Sequence, residues 1–433
     1  MKQTGYSLRI LRNSLLITCL GSLGIGMGLL EGTASALESR TRTVSGSVIS
    51  AGARLTSDGS TIVTDAVIRT QDGEEIPVIQ VGGEVGELKM EVIPGPGVLR
   101  TGTLVTVELN GSTTVEKTLT WTLVEILEEK EDDKSPSNEG RSQRYARSLS
   151  ADGQNLYWPS GCVYLTYDSA GTSSLDSDAE FRVLDKVLSN FMAATQACSY
   201  LSIHVEPRSD QEIGRDGINV IKFRDSRWCR PAIVKNGKTE VPEVCYSPRM
   251  VARTTVTSIK KNGQIVDSDI EFNGVNFAVS DGGKSKNSSA CNADLAGTMM
   301  HELGHLVGLA HTCRTDLDDP RLKDQFGNPV PACKDEEKIT ERMRSSTMFP
   351  TQSCGETSKF TMEEDDIQGV CATYPLAKNP YQCKPSLLIE GGLPTGCSTQ
   401  AATPTNWTDL AWGLAITLGL LALRRLRTSP RAS

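Results

Sequence analysis

His301-Glu302-Leu303-Gly304-His305-Leu306-Val307-Gly308-Leu309-Ala310-His311 is the stretch on which the reading of this chain turns. In a helix, residues four apart share a face, so His301 and His305 can present their imidazoles to one ion. Glu302 sits beside the first of them, where its carboxylate can reach a metal-bound water without being a ligand. Gly308 comes three residues after His305, where it can end the helix and turn the chain. His311 then returns as a third imidazole. Three nitrogen ligands leave one position of a tetrahedral zinc open, the mark of a catalytic rather than a structural site. Three of the four histidines in the chain fall within this segment; for this composition a chance match to the spacing is on the order of one in a million. The fourth, His204, alternates with Ile203 and Val205 and reads as a structural strand residue.

Around this segment the chain is long enough for two or three domains. It has 433 residues, 38% hydrophobic and 23% charged, with a net charge of −8. That balance describes a soluble globular protein, and the missing basic stripe argues against a nucleic-acid partner. The two ends read differently. Lys2, Arg9 and Arg12 precede an apolar run from Ser14 to Leu30, and Ala34-Ser35-Ala36 fits a small-x-small cleavage pattern, so residues 1–36 read as an export signal. Leu410 to Leu423 is a second apolar run, followed by Arg424, Arg425 and Arg427. It is short for a bilayer of about 30 Å, but Trp407 and Trp412 can extend it as interfacial anchors. Residues 410–433 therefore read as a membrane or sorting tail.

The cysteines mark the main internal boundary. Of the 12, Cys19 lies in the signal and Cys397 near the tail, and the other ten lie between Cys162 and Cys383. An even number in an exported chain implies up to five disulfides, with the pairing open. Residues 37–127 carry no cysteine and no histidine. Thr43–Ile49, Thr61–Ile68, Leu104–Leu109 and Thr118–Ile126 are rich in Val, Thr and Ile and separated by turn signals such as Gln71-Asp72-Gly73 and Pro94-Gly95-Pro96-Gly97, which predicts a small all-β domain. Residues 128–156 open on a charge run and read as a solvated linker, in which Arg141, Arg144 and Arg147 are either protease-sensitive points or, the favoured reading, part of an exposed polar tether. From Tyr157 the pattern changes. A strand to Tyr167 is followed by Ser177-Asp178-Ala179-Glu180, a capping box for a helix burying Phe181, Leu184, Leu188 and Phe191. Strands at Ile218–Phe223 and Ile270–Phe277 follow, then a helix over Asp294–Val307. Thr361-Met362-Glu363-Glu364 caps a last helix to about Thr373. Strands interleaved with three helices predict an α+β domain with a mixed sheet over residues 157–385.

The zinc segment is that of the metzincins, and the rest of this domain resembles their matrixin branch. Ser346-Thr347-Met348-Phe349-Pro350 resembles the family's Met-turn, with Met348 as the apolar floor beneath the histidines. Asp365-Asp366-Ile367-Gln368-Gly369-Val370 with Tyr374 resembles the matrixin C-terminal helix, and Gly217–Phe223 its sheet strand. The resemblance spans about Tyr157 to Pro375. It implies a zincin fold and a zinc endopeptidase acting on polypeptides, with Glu302 as general base. Three departures stand out. Thirty-six residues separate His311 from Met348, several times the matrixin length, and Cys313 and Cys333 bracket most of this insert. No cysteine is present in residues 37–127 to block the zinc, although the domain could still block the cleft sterically. The matrixin structural-zinc histidines are missing. Asp316, Asp318 and Asp319 offer either a calcium (Ca2+) site or a solvated acidic loop.

The tail resembles the sorting signals of myxobacterial surface proteins: Gly396-Cys397-Ser398 within a spacer (386–409), a short apolar helix, then arginines. With the metzincin domain, this resembles the myxosortase-dependent metalloprotease family, which implies processing near Cys397 by a sorting protease and retention at the cell surface. Cys397 could instead pair with another cysteine such as Cys383. The expectation from sequence is thus an exported two-domain zinc endopeptidase. The alternative is a non-catalytic surface adhesin on a peptidase scaffold.

Overall fold

The computed structural model describes residues 40–95, 98–114, 119–129, 145–286, 291–315 and 318–380. The stretch expected to be an export signal, the expected sorting tail with Cys397, and most of the charge run lie outside the described residues. Among the described residues no helix is long and apolar enough to cross a membrane.

Period-two alternation builds the first part of the chain. In β1 (Arg40–Leu55), β2 (Ile62–Thr70) and β3 (Glu75–Val81), alternate side chains such as Val44, Ile68 and Val78 are buried. After the short β4 (Gly83–Val85) and β5 (Leu88–Ile93), β6 (Leu104–Thr113) and β7 (Leu119–Glu129) continue the pattern. Five of these strands close into a barrel in the order β1-β2-β3-β7-β6, around a core that includes Val48, Val107 and Leu109. Closure removes the exposed edges that an open sheet of this size would carry.

β4 and β5 do not belong to that barrel. They join a seven-stranded mixed sheet in the order β10-β9-β11-β17-β16-β5-β4. Its other members are β9 (Cys162–Asp168), β10 (Ser202–Ser209), β11 (Asn219–Arg224), β16 (Ala252–Ile259) and β17 (Ile265–Asn273). β10, β9, β11 and β17 run parallel, whereas β16, β5 and β4 are each antiparallel to the strand before them. The boundary expected at residue 127 is therefore corrected: the sheet of the second region recruits two strands from the first, and both parts lie in one compact unit. The linker reading also needs correction at its end. β8 (Ala146–Arg147) pairs with β20 (Leu309–Ala310), and Ser150 and Leu156 are buried.

Short strands complete the set: β12 (Cys229–Arg230) with β15 (Val244–Cys245), β13 (Ile233–Lys235) with β14 (Lys238–Val241), and β18 (Phe277–Ser280) with β19 (Cys291–Asp294). Helix α1 (Ala179–Thr195) buries Phe181, Leu184, Leu188 and Phe191, the face the periodicity indicates. Its capping box does not form. Ser177 and Asp178 are left-handed at φ 54° and 59°, and Glu180 turns away to accept the Thr172 N–H at 3.2 Å. Helix α2 (Leu295–Leu306) is capped by Asp294, whose side chain accepts the Gly297 N–H. A short α3 (Glu341–Ser345) lies in the insert after His311, so four α-helices are described rather than three. In α4 (Glu364–Thr373) Glu363 makes no side-chain cap. Helices α1 and α2 share one core with the sheet, including Ile270, Phe272 and Leu303.

Four disulfides are described: Cys198–Cys371, Cys229–Cys245, Cys291–Cys354 and Cys313–Cys333. The last closes the insert after His311, as its bracketing cysteines suggest.

Candidate metal centre

Helix α2 carries His301 and His305 one turn apart, and the chain reverses at Gly308 to bring in His311. Gly308 needs to be glycine on two counts. Its φ is +95°, and a Cβ there would meet the Leu156 carbonyl oxygen at 2.6 Å. The three imidazoles converge, with 3.1 Å from His305 Nε2 to both His301 Nε2 and His311 Nε2.

Each Nδ1 faces an oxygen acceptor. His301 Nδ1 donates to the Thr347 carbonyl at 2.7 Å and His305 Nδ1 to the Leu309 carbonyl at 3.0 Å. His311 Nδ1 donates to the two Asp318 carboxylate oxygens at 2.9 and 3.1 Å. This assignment puts the proton on Nδ1 and leaves three Nε2 lone pairs facing one another, an arrangement that repels unless a cation lies between them. A tetrahedral zinc with Zn–N bonds of about 2.0–2.1 Å separates its ligands by about 3.3 Å, so the spacing fits that ion. These three histidines form a group able to hold a metal; the other such group among the described residues, Cys229, Glu243 and Cys245, contains a disulfide.

Burial keeps the His301 and His305 imidazoles neutral. It lowers His301 to about 3, helped by the neighbouring His311, and it holds His305 well below its ordinary value, again with the other histidines. Neutral imidazole is the ligand form.

Glu302 lies on the sheet side of α2. Its Oε2 accepts the Thr254 hydroxyl from β16 at 2.5 Å. Burial pushes the Glu302 carboxyl up to about 7, and the Thr254 hydrogen bond, His311 and Arg253 draw it back only in part. A carboxylate poised there suits proton transfer near neutral pH.

Met348 lies directly under the helix. A Cβ added at Gly304 would meet its sulfur at 2.1 Å, so glycine at this position is what lets the methionine pack so close. The turn before it is tied from both ends. Thr347 N–H donates to Asp366 of α4 at 2.9 Å, and the Met348 carbonyl accepts the Thr312 N–H at 3.1 Å. Asp366, Thr347 and His301 thus form one chain of hydrogen bonds from the last helix to the first histidine.

The acidic insert is corrected here. Asp318 is neither solvated nor a free cation ligand, because its oxygens are engaged by His311 and by the Thr315 N–H and hydroxyl at 2.6 and 2.7 Å. Burial alone would raise its pKa, but His311 and Thr315 hold it below the ordinary value. Asp319 is committed to Arg321, and Asp316 lies outside the described residues. His204 sits on the sheet edge, bonded to Ser202 and stacked on Tyr164, away from the centre. Thr254, Asp318 and Asp366 are the partners that sequence reasoning did not assign to these roles; no local spacing marks them.

Carboxylate partners on metal-bound imidazoles typically account for 10- to 100-fold in metal affinity. Asp318→Ala is accordingly expected to weaken zinc binding by roughly 10- to 100-fold, measured by competition with a chromophoric chelator. Unchanged affinity would remove Asp318 from the centre.

No family model matches the chain. A curated relative, neutrophil collagenase of Homo sapiens, is 26% identical over 137 residues, covering 30% of this chain and 21% of the relative. The chain thus spans about a fifth of the length of that relative. The similarity to a matrix metalloproteinase is distant and partial, and it supports a metalloprotease with zinc as its metal.

Proposed function

We propose that the chain is a zinc endopeptidase of the matrixin-like metzincin type, hydrolysing peptide bonds outside the cytoplasm. The observation that carries this reading is the convergence of three Nε2 atoms beside a buried glutamate, with each Nδ1 tied to an oxygen. His301, His305 and His311 would hold a zinc ion, which would supply Lewis acidity toward a water and a carbonyl. The chain's own residues do the rest. Glu302 takes the proton of the attacking water and passes it to the departing amide nitrogen. Thr254 fixes which carboxylate oxygen is free for this. The Asp366–Thr347 link and Asp318 fix the imidazole planes, and Met348 provides an apolar floor. The described disulfides suit an oxidising compartment, in keeping with an export signal at residues 1–36 and surface retention through the tail.

The test is digestion of a peptide library by the purified chain, intact and after limited proteolysis, with and without zinc. New amino termini that appear only with zinc are expected. Their absence in every sample would hand the site to the non-catalytic adhesin reading.

A further inference from the structure

The strand that holds the catalytic base is also the strand on which β5 is seated. β16 contributes Thr254 to Glu302, and its outer edge is paired along six residues with β5, from Ile259 opposite Leu88 to Thr254 opposite Ile93. Val92, Ile93 and Pro94 line a cavity with Leu149, His305 and Asp318 whose volume is only about 20 Å³, room for about one water. Within the centre Glu302 is 3% exposed, His305 0% and His311 1%, and His301 alone of the three ligands is partly exposed. A base and ligands meant for a polypeptide have to reach one.

An extended polypeptide can bind by adding a strand to an exposed sheet edge. The edge next to Glu302 is that of β16, and β5 fills it. The filling is firmly built. Met90 and Val92 of β5 share a core with Trp228 and Val241, and Lys89 donates to the Leu149 carbonyl at 3.0 Å. β5 brings no metal ligand with it. It contains no histidine or cysteine, and Glu91 is paired with Lys89 at 2.8 Å.

We infer that β5 is an in-chain occupant of the polypeptide-binding edge, so that the chain is latent until β5 leaves β16. The inference rests on the peptidase reading above. The block acts through strand pairing rather than by a cysteine on the metal, in keeping with the lack of cysteine in residues 37–127.

The experiment compares three zinc-loaded proteins on a fluorogenic peptide. The first is the intact chain. The second carries a site for a specific protease inserted between residues 130 and 144, and is cut and diluted to nanomolar concentration. The third adds Leu88→Cys with Ile259→Cys, a cross-strand pair that locks β5 to β16. The cut chain is expected to exceed the intact chain in kcat/KM by about 100-fold or more, with residues 40–129 released on a sizing column. The locked chain should stay low after cutting and recover on mild reduction, judged against the second protein treated alike. Equal activity of intact and cut chains overturns the inference and leaves the peptidase reading standing. So does a locked chain that is as active as the unlocked one, or a cut chain whose activity rises while the piece stays bound. A cut chain that has lost the piece, binds one zinc and cleaves nothing overturns the peptidase reading itself.

Discussion

Glu302→Gln lowers kcat for peptide cleavage by roughly 10²- to 10⁴-fold, the range associated with a positioned general base, while zinc remains bound at one ion per chain. Glutamine keeps the size of the side chain and can still accept the Thr254 hydroxyl through its carbonyl oxygen, so helix α2 and its two histidines stay where they are. What it lacks is the capacity to take a proton, and no other described carboxylate stands in that place. Asp318 is engaged by His311 and Thr315, and Asp366 by Thr347. Steady-state kinetics on chain freed of β5, with metal content measured on the same sample, checks this. Activity within about tenfold of the unaltered chain would take the base role away from Glu302.

The second large effect lies on the opposite face of the sheet. Ile270 and Phe272 of β17 face the helices, so Glu271 between them faces the other way, where it is fully buried. It is held by Arg224 and Arg230, each at 2.8 Å, and lies opposite Arg253 in the β16 pairing. Burial alone would raise the Glu271 carboxyl, but the three guanidiniums outweigh it and hold the group at about 2. The ordinary value is 4.5, so the folded-state pKa is depressed. This contribution, about 3 kcal/mol at 1.4 kcal/mol per unit, is fully present above about pH 4.5 and is lost as the pH falls toward 2. Glu271→Ala removes it and also strands buried arginines, so a destabilisation of about 3–5 kcal/mol is expected, measured by urea unfolding at pH 7. A loss below about 1 kcal/mol would show that the arginines find other partners or water. Because Arg253 adjoins Thr254, this cluster also anchors the strand that positions Glu302.

What could be read from the sequence was what is local. The spacing of His301, His305, Gly308 and His311 is set by one helix and one turn, and each residue type is needed for its own chemical reason. The buried face of α1 and the barrel strands follow from periodicity in the same way. Partners brought together by the tertiary fold left no such trace. Thr254 is 48 residues from Glu302 in sequence, and Asp366 is 19 from Thr347. Asp318 looks like any loop carboxylate until His311 is beside it. The capping box at Ser177 failed because the two residues before α1 adopt left-handed backbone, which turns Glu180 toward Thr172. The reading of residues 37–127 as a self-contained domain failed for a related reason. Leu88-Lys89-Met90-Glu91-Val92-Ile93 has strand character, but a strand's local pattern does not say which sheet it will join.

The most direct test of the central claim is the peptide digest run as a zinc titration on metal-free chain released from β5. Bound metal and new amino termini are counted in the same samples. The account gives cleavage that rises with zinc and saturates at one ion per chain, and that is absent without metal. Peptide-bond cleavage by the metal-free chain, or a chain saturated with one zinc that cleaves no peptide, would contradict it.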